Sequence, residues 1–303
     1  MIFFERGDKA VSDNWISIDT MREVDHCYSG TYYSEEWIRD KHLENRKGSG
    51  MGMLAPDGVT EIRRYNVSEL SELMKDEEGK LYYRHKEMPL MVSPKEFKTQ
   101  YGVFKNNDQG EFGGWIKTPK GKKISGNFNR CFELGIDTYF ISTLSHLGLD
   151  DFALYRFTGA DNYKKIYSSG LEALISLDTI EDGEFEIPDD EESLSYGAMY
   201  INDETAYILL KGGLLHHKIQ GKGRFEFISR LLKIKDGNVE VLYDVNHGFG
   251  TISDMIVTDE YMAVATDKMV TIVDFESKKE RLLTFISKEA EQEILQNNDF
   301  FLY

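Results

Sequence analysis

Between Thr251 and Phe285 the chain alternates short apolar runs with polar breaks. Ile252–Val257 is followed by Thr258-Asp259-Glu260, residues 261–265 by Asp267-Lys268, and residues 270–274 by Glu276-Ser277-Lys278, before a last run over 280–285. Each run is apolar, β-branched or aromatic, and none is long enough for a helix, so the stretch predicts a four-stranded antiparallel meander. The same pattern recurs upstream. Asn202-Asp203-Glu204 precedes Thr205-Ala206-Tyr207-Ile208-Leu209-Leu210, and Gly135-Ile136-Asp137 precedes Thr138-Tyr139-Phe140-Ile141-Ser142. Weaker copies stand at Gly79-Lys80-Leu81-Tyr82-Tyr83, at Gly30-Thr31-Tyr32-Tyr33 and at Asn298-Asp299-Phe300-Phe301-Leu302-Tyr303. Two hairpins follow the openings, one turning through residues 158–161 and one through Lys235-Asp236-Gly237-Asn238. Asp-Gly between apolar runs is a strong hairpin signal.

Six openings spaced about 40 to 70 residues apart predict repeated four-stranded units, the sequence signature of a β-propeller. The expected fold is therefore all-β: one domain over 1–303, with six blades as the leading count and five or seven as alternatives. A β-sandwich or a two-sheet α+β fold is the competing architecture. The apolar ends Met1-Ile2-Phe3-Phe4 and Phe300-Phe301-Leu302-Tyr303 are expected to share a sheet and close the ring. The repeats resemble those of bacterial β-propellers in general, from about residue 130 onward. The Trp-Asp ending of the tryptophan-aspartate repeats is missing, with Tyr243-Asp244 and Val273-Asp274 the nearest substitutes. Such a likeness implies a fold and carries no function with it.

Helices are expected as insertions between blades. Residues 34–46 have Ser34 as a cap with Glu35 and Glu36 in the first turn. Over 66–79, Leu70, Leu73 and Met74 share one helical face and Gly79 ends it. Ser93-Pro94-Lys95-Glu96 reads as a capping box opening a helix over 93–101, and a fourth helix is expected over 287–297. The glycine-rich Gly48-Ser49-Gly50-Met51-Gly52 follows an expected helix rather than a strand, which removes the phosphate-loop reading.

Charge changes the picture most. The 303 residues carry a net charge of -17. Residues 1–150 hold 21 Lys and Arg against 24 Asp and Glu, leaving -3, while residues 151–303 hold 15 against 29, leaving -14. A field of that sign repels nucleic acid and anionic lipid and speeds encounter with basic partners. Nine acids and no base lie between Asp178 and Glu192. This stretch reads as an exposed inter-blade loop in which Phe185 and Ile187 alternate with carboxylates. The expected partner-binding residues are Glu181, Asp182, Glu184, Phe185, Ile187, Asp189, Asp190, Glu191 and Glu192. Against this background Lys117, Lys120, Lys122, Lys123 and Arg130, near Trp115 and Phe128, form one basic cluster, read as a hairpin tip and not as a nucleic-acid footprint.

Catalytic signatures are weak. No G-x-S-x-G or Ser-x-x-Lys set is present, and Cys27 and Cys131 lack metal spacing and read as reduced thiols. His216 and His217 are adjacent and point to opposite faces of a strand, so they cannot share one ion. His146 and His247, with Asp150, Asp151 and Asp244, leave a composite metal site as the enzymatic alternative. The reading is nonetheless of no cofactor, no metal and no catalytic residues. No run of eighteen apolar residues spans a membrane, and the opening residues lack a signal-peptide pattern. The expected location is cytoplasmic. The function expected is that of an acidic protein neutralising a basic macromolecule, most concretely an immunity protein against a cationic, nuclease-type toxin. A scaffold propeller and a lactonase-like or glycan-acting propeller enzyme with a channel metal are the alternatives.

Overall fold

The computed structural model describes residues 15–24, 67–89, 93–109, 113–146, 149–169, 190–216, 224–245, 252–266, 269–284 and 288. The contacts of the chain divide it into two compact units, Met1–Met91 with Gly250–Tyr303, and Val92–Phe249. The first unit contributes β1 (Ile16–Ser17), β2 (Arg22–Val24), β3 (Val67–Lys75) and β4 (Leu81–Pro89). The second contains β5 (Glu96–Thr99), β6 (Gly102–Asp108), β7 (Gly114–Lys117), β8 (Lys123–Ser125), β9 (Phe128–Leu134), β10 (Asp137–His146), β11 (Leu149–Phe157) and β12 (Tyr163–Ser169), then β13 (Asp190–Asn202), β14 (Thr205–His216), β15 (Arg224–Lys235) and β16 (Asn238–Val245). The chain returns to the first unit for β17 (Ile252–Val257), β18 (Tyr261–Thr266), β19 (Met269–Asp274) and β20 (Glu280–Thr284).

All of the described pairings are antiparallel. The second unit is three consecutive four-stranded meanders, β5 to β8, β9 to β12 and β13 to β16. In the first unit β17 to β20 form the expected meander and β2 adds a fifth strand beside β20, while β1, β4 and β3 make a smaller sheet. The fold is thus all-β, built from several four-stranded antiparallel sheets of the kind that serve as propeller blades. Arg22 to Val24 face Thr284 to Leu282, so residues near the N-terminus complete a C-terminal sheet. The strands expected to do this, at Met1 to Phe4 and Phe300 to Tyr303, lie outside the described residues.

Four of the six openings fall on described residues, and each leads into the strand after the first hairpin turn of its sheet: β4, β10, β14 and β18. The openings at Gly30 and Asn298 lie outside the described residues. The turns follow the local chemistry. Asp236 and Gly237 both have positive φ, 51° and 75°, the geometry of a two-residue turn whose twist matches its flanking strands.

Two expected helices are strands. Over 66–79 the spacing of Leu70, Leu73 and Met74 suggests a helix, but β3 pairs residue by residue with β4 over Val67 to Lys75. The pattern that decides it has period two: Ser71 and Leu73 are buried while Glu72 and Met74 are half-exposed, and the Ser71 and Tyr83 hydroxyls hydrogen-bond at 2.8 Å. The capping box at Ser93 likewise opens no helix. Glu96–Thr99 is β5, the Lys95 carbonyl accepts from the Asn106 amide at 2.8 Å, and Ser93 Oγ pairs with Asp108 instead of a helix N–H. Residues 34–46 lie outside the described residues, as do those of 287–297 other than Lys288, which is helical.

Within the second unit the β9 to β12 sheet is buried on both faces, so residues 138–142 are all buried without alternation, with Tyr139, Phe140 and Ile141 adjacent in sequence. One face puts Phe128, Phe140, Ala153, Tyr155 and Phe157 against Phe97, Phe104, Ile116 and Ile124 of β5 to β8. Its other face puts Tyr139, Ile141, Phe152 and Leu154 against Leu194, Ile208, Leu210 and Leu232 of β13 to β16. Turns at one end of these sheets are also bonded to one another: Thr118 to Asp161, the Gln100 amide to Glu133 at 2.8 Å, and Tyr101 to the Ile136 carbonyl.

Candidate partner-binding surface

The acid-rich stretch enters the described structure at Asp190, and it does so as a strand. Asp190, Glu191 and Glu192 are the first residues of β13, facing His216, Leu215 and Leu214 of β14, where an exposed inter-blade loop is expected. Glu181, Asp182, Glu184, Phe185, Ile187 and Asp189 lie outside the described residues. The strand extends into acidic sequence because its neighbours supply both backbone partners and a countercharge. That countercharge is Arg230 of β15.

Arg230 forks onto Asp244 of β16, with Nε to Oδ1 at 2.8 Å and Nη2 to Oδ2 at 3.1 Å. Its Nη1 reaches Glu192 Oε1 at 2.7 Å and the Tyr167 hydroxyl of β12 at 3.1 Å. Every guanidinium nitrogen is therefore engaged, and two carboxylates share one positive charge. Burial works against the charged form, but the Asp244 and Tyr167 bonds and the Glu192 charge outweigh it, so the guanidinium pKa is raised. Glu192 thus has an internal partner and is not a loop carboxylate waiting for one. Replacing Arg230 by Met should destabilise the chain by about 2 kcal/mol. A fully buried pair would lose more, but Glu192 and Asp244 keep part of their solvent contact. Adding Glu192→Gln and Asp244→Asn should recover most of the loss in urea unfolding, because the repelling carboxylates then disappear with the cation.

Of the histidine and carboxylate set, only Asp151 and Asp244 have described side chains. His146 closes β10 opposite Leu149, His216 ends β14, and His217 and His247 lie outside the described residues. Asp151 keeps one buried oxygen without a partner. Burial raises its pKa, against the opposing pull of Lys165 and the Phe152 amide. Among the described residues no group of three or more His, Cys, Asp or Glu is placed to hold a metal ion. Burial, with Glu133 nearby, pushes the Cys131 thiol up to about 12, which keeps it protonated and unreactive at neutral pH.

The chain matches no known protein-family model, and no curated protein matches it in sequence. Its site chemistry has to be read from its own residues.

Two features escaped the sequence reading. Asp254 of β17 accepts the Leu73 amide of β3 at 2.9 Å and the Met255 amide at 2.9 Å, both inside the first unit. The Arg156 side chain of β11 holds the buried Asp137 with Nε at 2.7 Å and also reaches the Gly237 carbonyl at 3.5 Å. The sequence signal is slight: Asp254 is the one charge in β17, and Arg156 the one base in β11. The four lysines of the basic cluster lie on a hairpin, as expected, with Thr118 to Lys122 closing the turn between β7 and β8; Arg130 lies apart on β9, over the Tyr196 ring at 4.3 Å.

Proposed function

We propose that this chain is a non-enzymatic, cytoplasmic binding protein whose acidic surface takes a basic protein partner, most concretely a cationic, nuclease-type bacterial toxin domain that it neutralises by covering it. The observation that carries the reading is charge: -17 overall, with -14 in residues 151–303. Exposed acids recur at the hairpin turns of that half, at Asp203, Glu204 and Asp236 in the second unit and at Asp259, Glu260 and Glu276 in the first. Tight turns between paired strands hold the backbone of these carboxylates in place, so little loop ordering is required on binding, which favours their use in recognition. The stretch 178–191 adds eight more acids, Glu192 being held by Arg230.

The architecture that goes with this reading is a closed propeller, in which β2 beside β20 supplies the join between the chain's two ends. Unchanged thermal unfolding after deletion of residues 1–24 would count against that closure.

The functional reading is tested by capture. The purified chain, immobilised, should retain a basic protein from an extract of its native host at about 0.01 M salt and release most of it at about 1 M, where the Debye length falls from roughly 30 to 3 Å. Retention only of neutral or acidic proteins, indifferent to salt, would sink the proposal.

A further inference from the structure

The β5 to β8 sheet carries a charge pattern opposite to that of the whole chain. Between Ser93 and Ser125 there are seven lysines and three acids. The register puts several of those lysines in one row. Lys105 of β6 stands directly opposite Lys117 of β7, Lys117 directly opposite Lys123 of β8, and Glu96 of β5 completes the row beyond Lys105. Neighbouring strands lie about 4.8 Å apart, so three ammonium stems rise from adjacent positions on one face.

Like charges directly opposite each other destabilise a sheet. Among the described residues none of Lys98, Lys105 and Lys117 has an ion-pair partner, and Lys123 lies over the Trp115 ring at 4.4 Å. Alternation places Lys98 and Val103 on one side of the row and Asn107, Trp115 and Ser125 on the other, all on the same face. Val103 is 43 % exposed, and Lys98, Lys105 and Lys123 are exposed as well. The reverse face is core, with Phe104 and Ile116 fully buried. This is an open basic face with apolar flanks.

We propose that the outer face of β5 to β8 is a docking surface for a short, extended acidic segment of a partner protein. Its acids would lie along the lysine row and its apolar residues against Val103 and Trp115. The exposed residues come from successive strands of one sheet face, which suits an extended chain crossing them better than a compact ligand. A long nucleic acid or an anionic bilayer would extend past this sheet into the field of a -17 protein and be repelled, whereas a segment of a few residues stays within the basic face. Lysines here act as point charges, without the bidentate geometry that arginine brings to phosphate.

The test uses the full chain and a fluorescent synthetic peptide of alternating Glu and Val, read by anisotropy at low salt. Beside it run a Lys-Val peptide, an oligothymidylate and phosphatidylserine vesicles. The Glu-Val peptide should bind, and Lys105→Glu with Lys117→Glu should weaken it by about tenfold or more. Absence of binding, equal binding by the double variant, or tighter binding of the oligothymidylate or the vesicles would overturn the proposal. A second measurement guards against misfolded variants. Lys117→Gln removes the central charge of the three lysines, in which Glu96 faces only Lys105, so it should raise the thermal midpoint of the unliganded chain by about 2 °C at low salt. A lowered midpoint would mean that the row is already neutralised within the chain, and the face is then not free to dock anything.

Discussion

Replacing Phe140 by Ala should destabilise the second unit by about 3 to 5 kcal/mol, the range for removing a fully buried aromatic side chain. Phe140 is completely buried at the centre of an aromatic cluster. Its ring lies 4.9 Å from Phe104, 5.1 Å from Phe157, 5.2 Å from Phe97 and 6.1 Å from Phe128, mostly edge to face. These partners come from both the β5 to β8 and the β9 to β12 sheets. The cavity therefore opens between two sheets, each hydrogen-bonded within itself, and neither can collapse into it without moving as a whole. Phe140→Leu should cost less than half as much, because a branched aliphatic refills part of the volume. Denaturant unfolding of both variants measures this. Equal, small losses would mean that the two sheets do not share this core.

A second large effect is expected from pH, through Asp254. Its carboxyl accepts two backbone N–H groups, from Leu73 on the edge strand of one sheet and from Met255 on its own strand. Burial pushes it up to about 6; the two amides pull the other way, and the nearby Glu72 adds to the rise. Glu72 is itself paired with Arg84, with Nε at 3.1 Å, and the Arg84 guanidinium lies 4.4 Å from the Trp15 ring centre. The folded pKa thus exceeds the unfolded value near 3.9. Between about pH 4 and pH 6 the folded chain keeps a proton that the unfolded chain has released, so Asp254 makes stability fall as pH rises through this window. Below the window both states are protonated, and above it the loss is complete. Its size is about 2 to 3 kcal/mol, the lower figure allowing for the residue's remaining solvent contact. Asp254→Asn should remove this contribution from the variant, so the stability difference between variant and wild type, measured by urea unfolding from pH 4 to pH 7, should itself change by that amount. A difference that does not vary with pH would show that Asp254 titrates as an ordinary surface carboxyl.

Strands that form hairpins with their immediate neighbours could be read from the chain, because period, turn residues and length agree there. The β17 to β20 meander and the Asp236-Gly237 hairpin are of this kind. Residues 66–79 could not be, since Leu70, Leu73 and Met74 satisfy a helical spacing, whereas in the strand Leu73 and Met74 take opposite faces. Only the β4 partner, with its Tyr83 hydroxyl meeting Ser71, selects the strand. The capping box at Ser93 failed for a similar reason: its residues found partners across a sheet, at Asn106 and Asp108, before any helix could use them. At the candidate surface, the excess of acids was plain in the sequence. That Glu192 is held by Arg230, from 38 positions further along, was not, because such pairing depends on register across three strands. The lysine row is invisible for the same reason: Lys105, Lys117 and Lys123 have no regular spacing until β6, β7 and β8 align them.

The association rate of the captured basic partner with two forms of the chain tests the central claim most directly. One form is wild type; in the other Glu181, Asp182, Glu184, Asp189, Asp190 and Glu191 are replaced by Gln or Asn. One exposed carboxylate contributes little, about 0.2 to 1 kcal/mol, but together they set a field that accelerates encounter. At low salt the neutralised chain should associate about tenfold more slowly, with a dissociation rate changed far less. Raising the salt should bring the two forms together. If the neutralised chain binds as fast as wild type at low salt, the acidic stretch does not steer a basic partner and the proposed function loses its support.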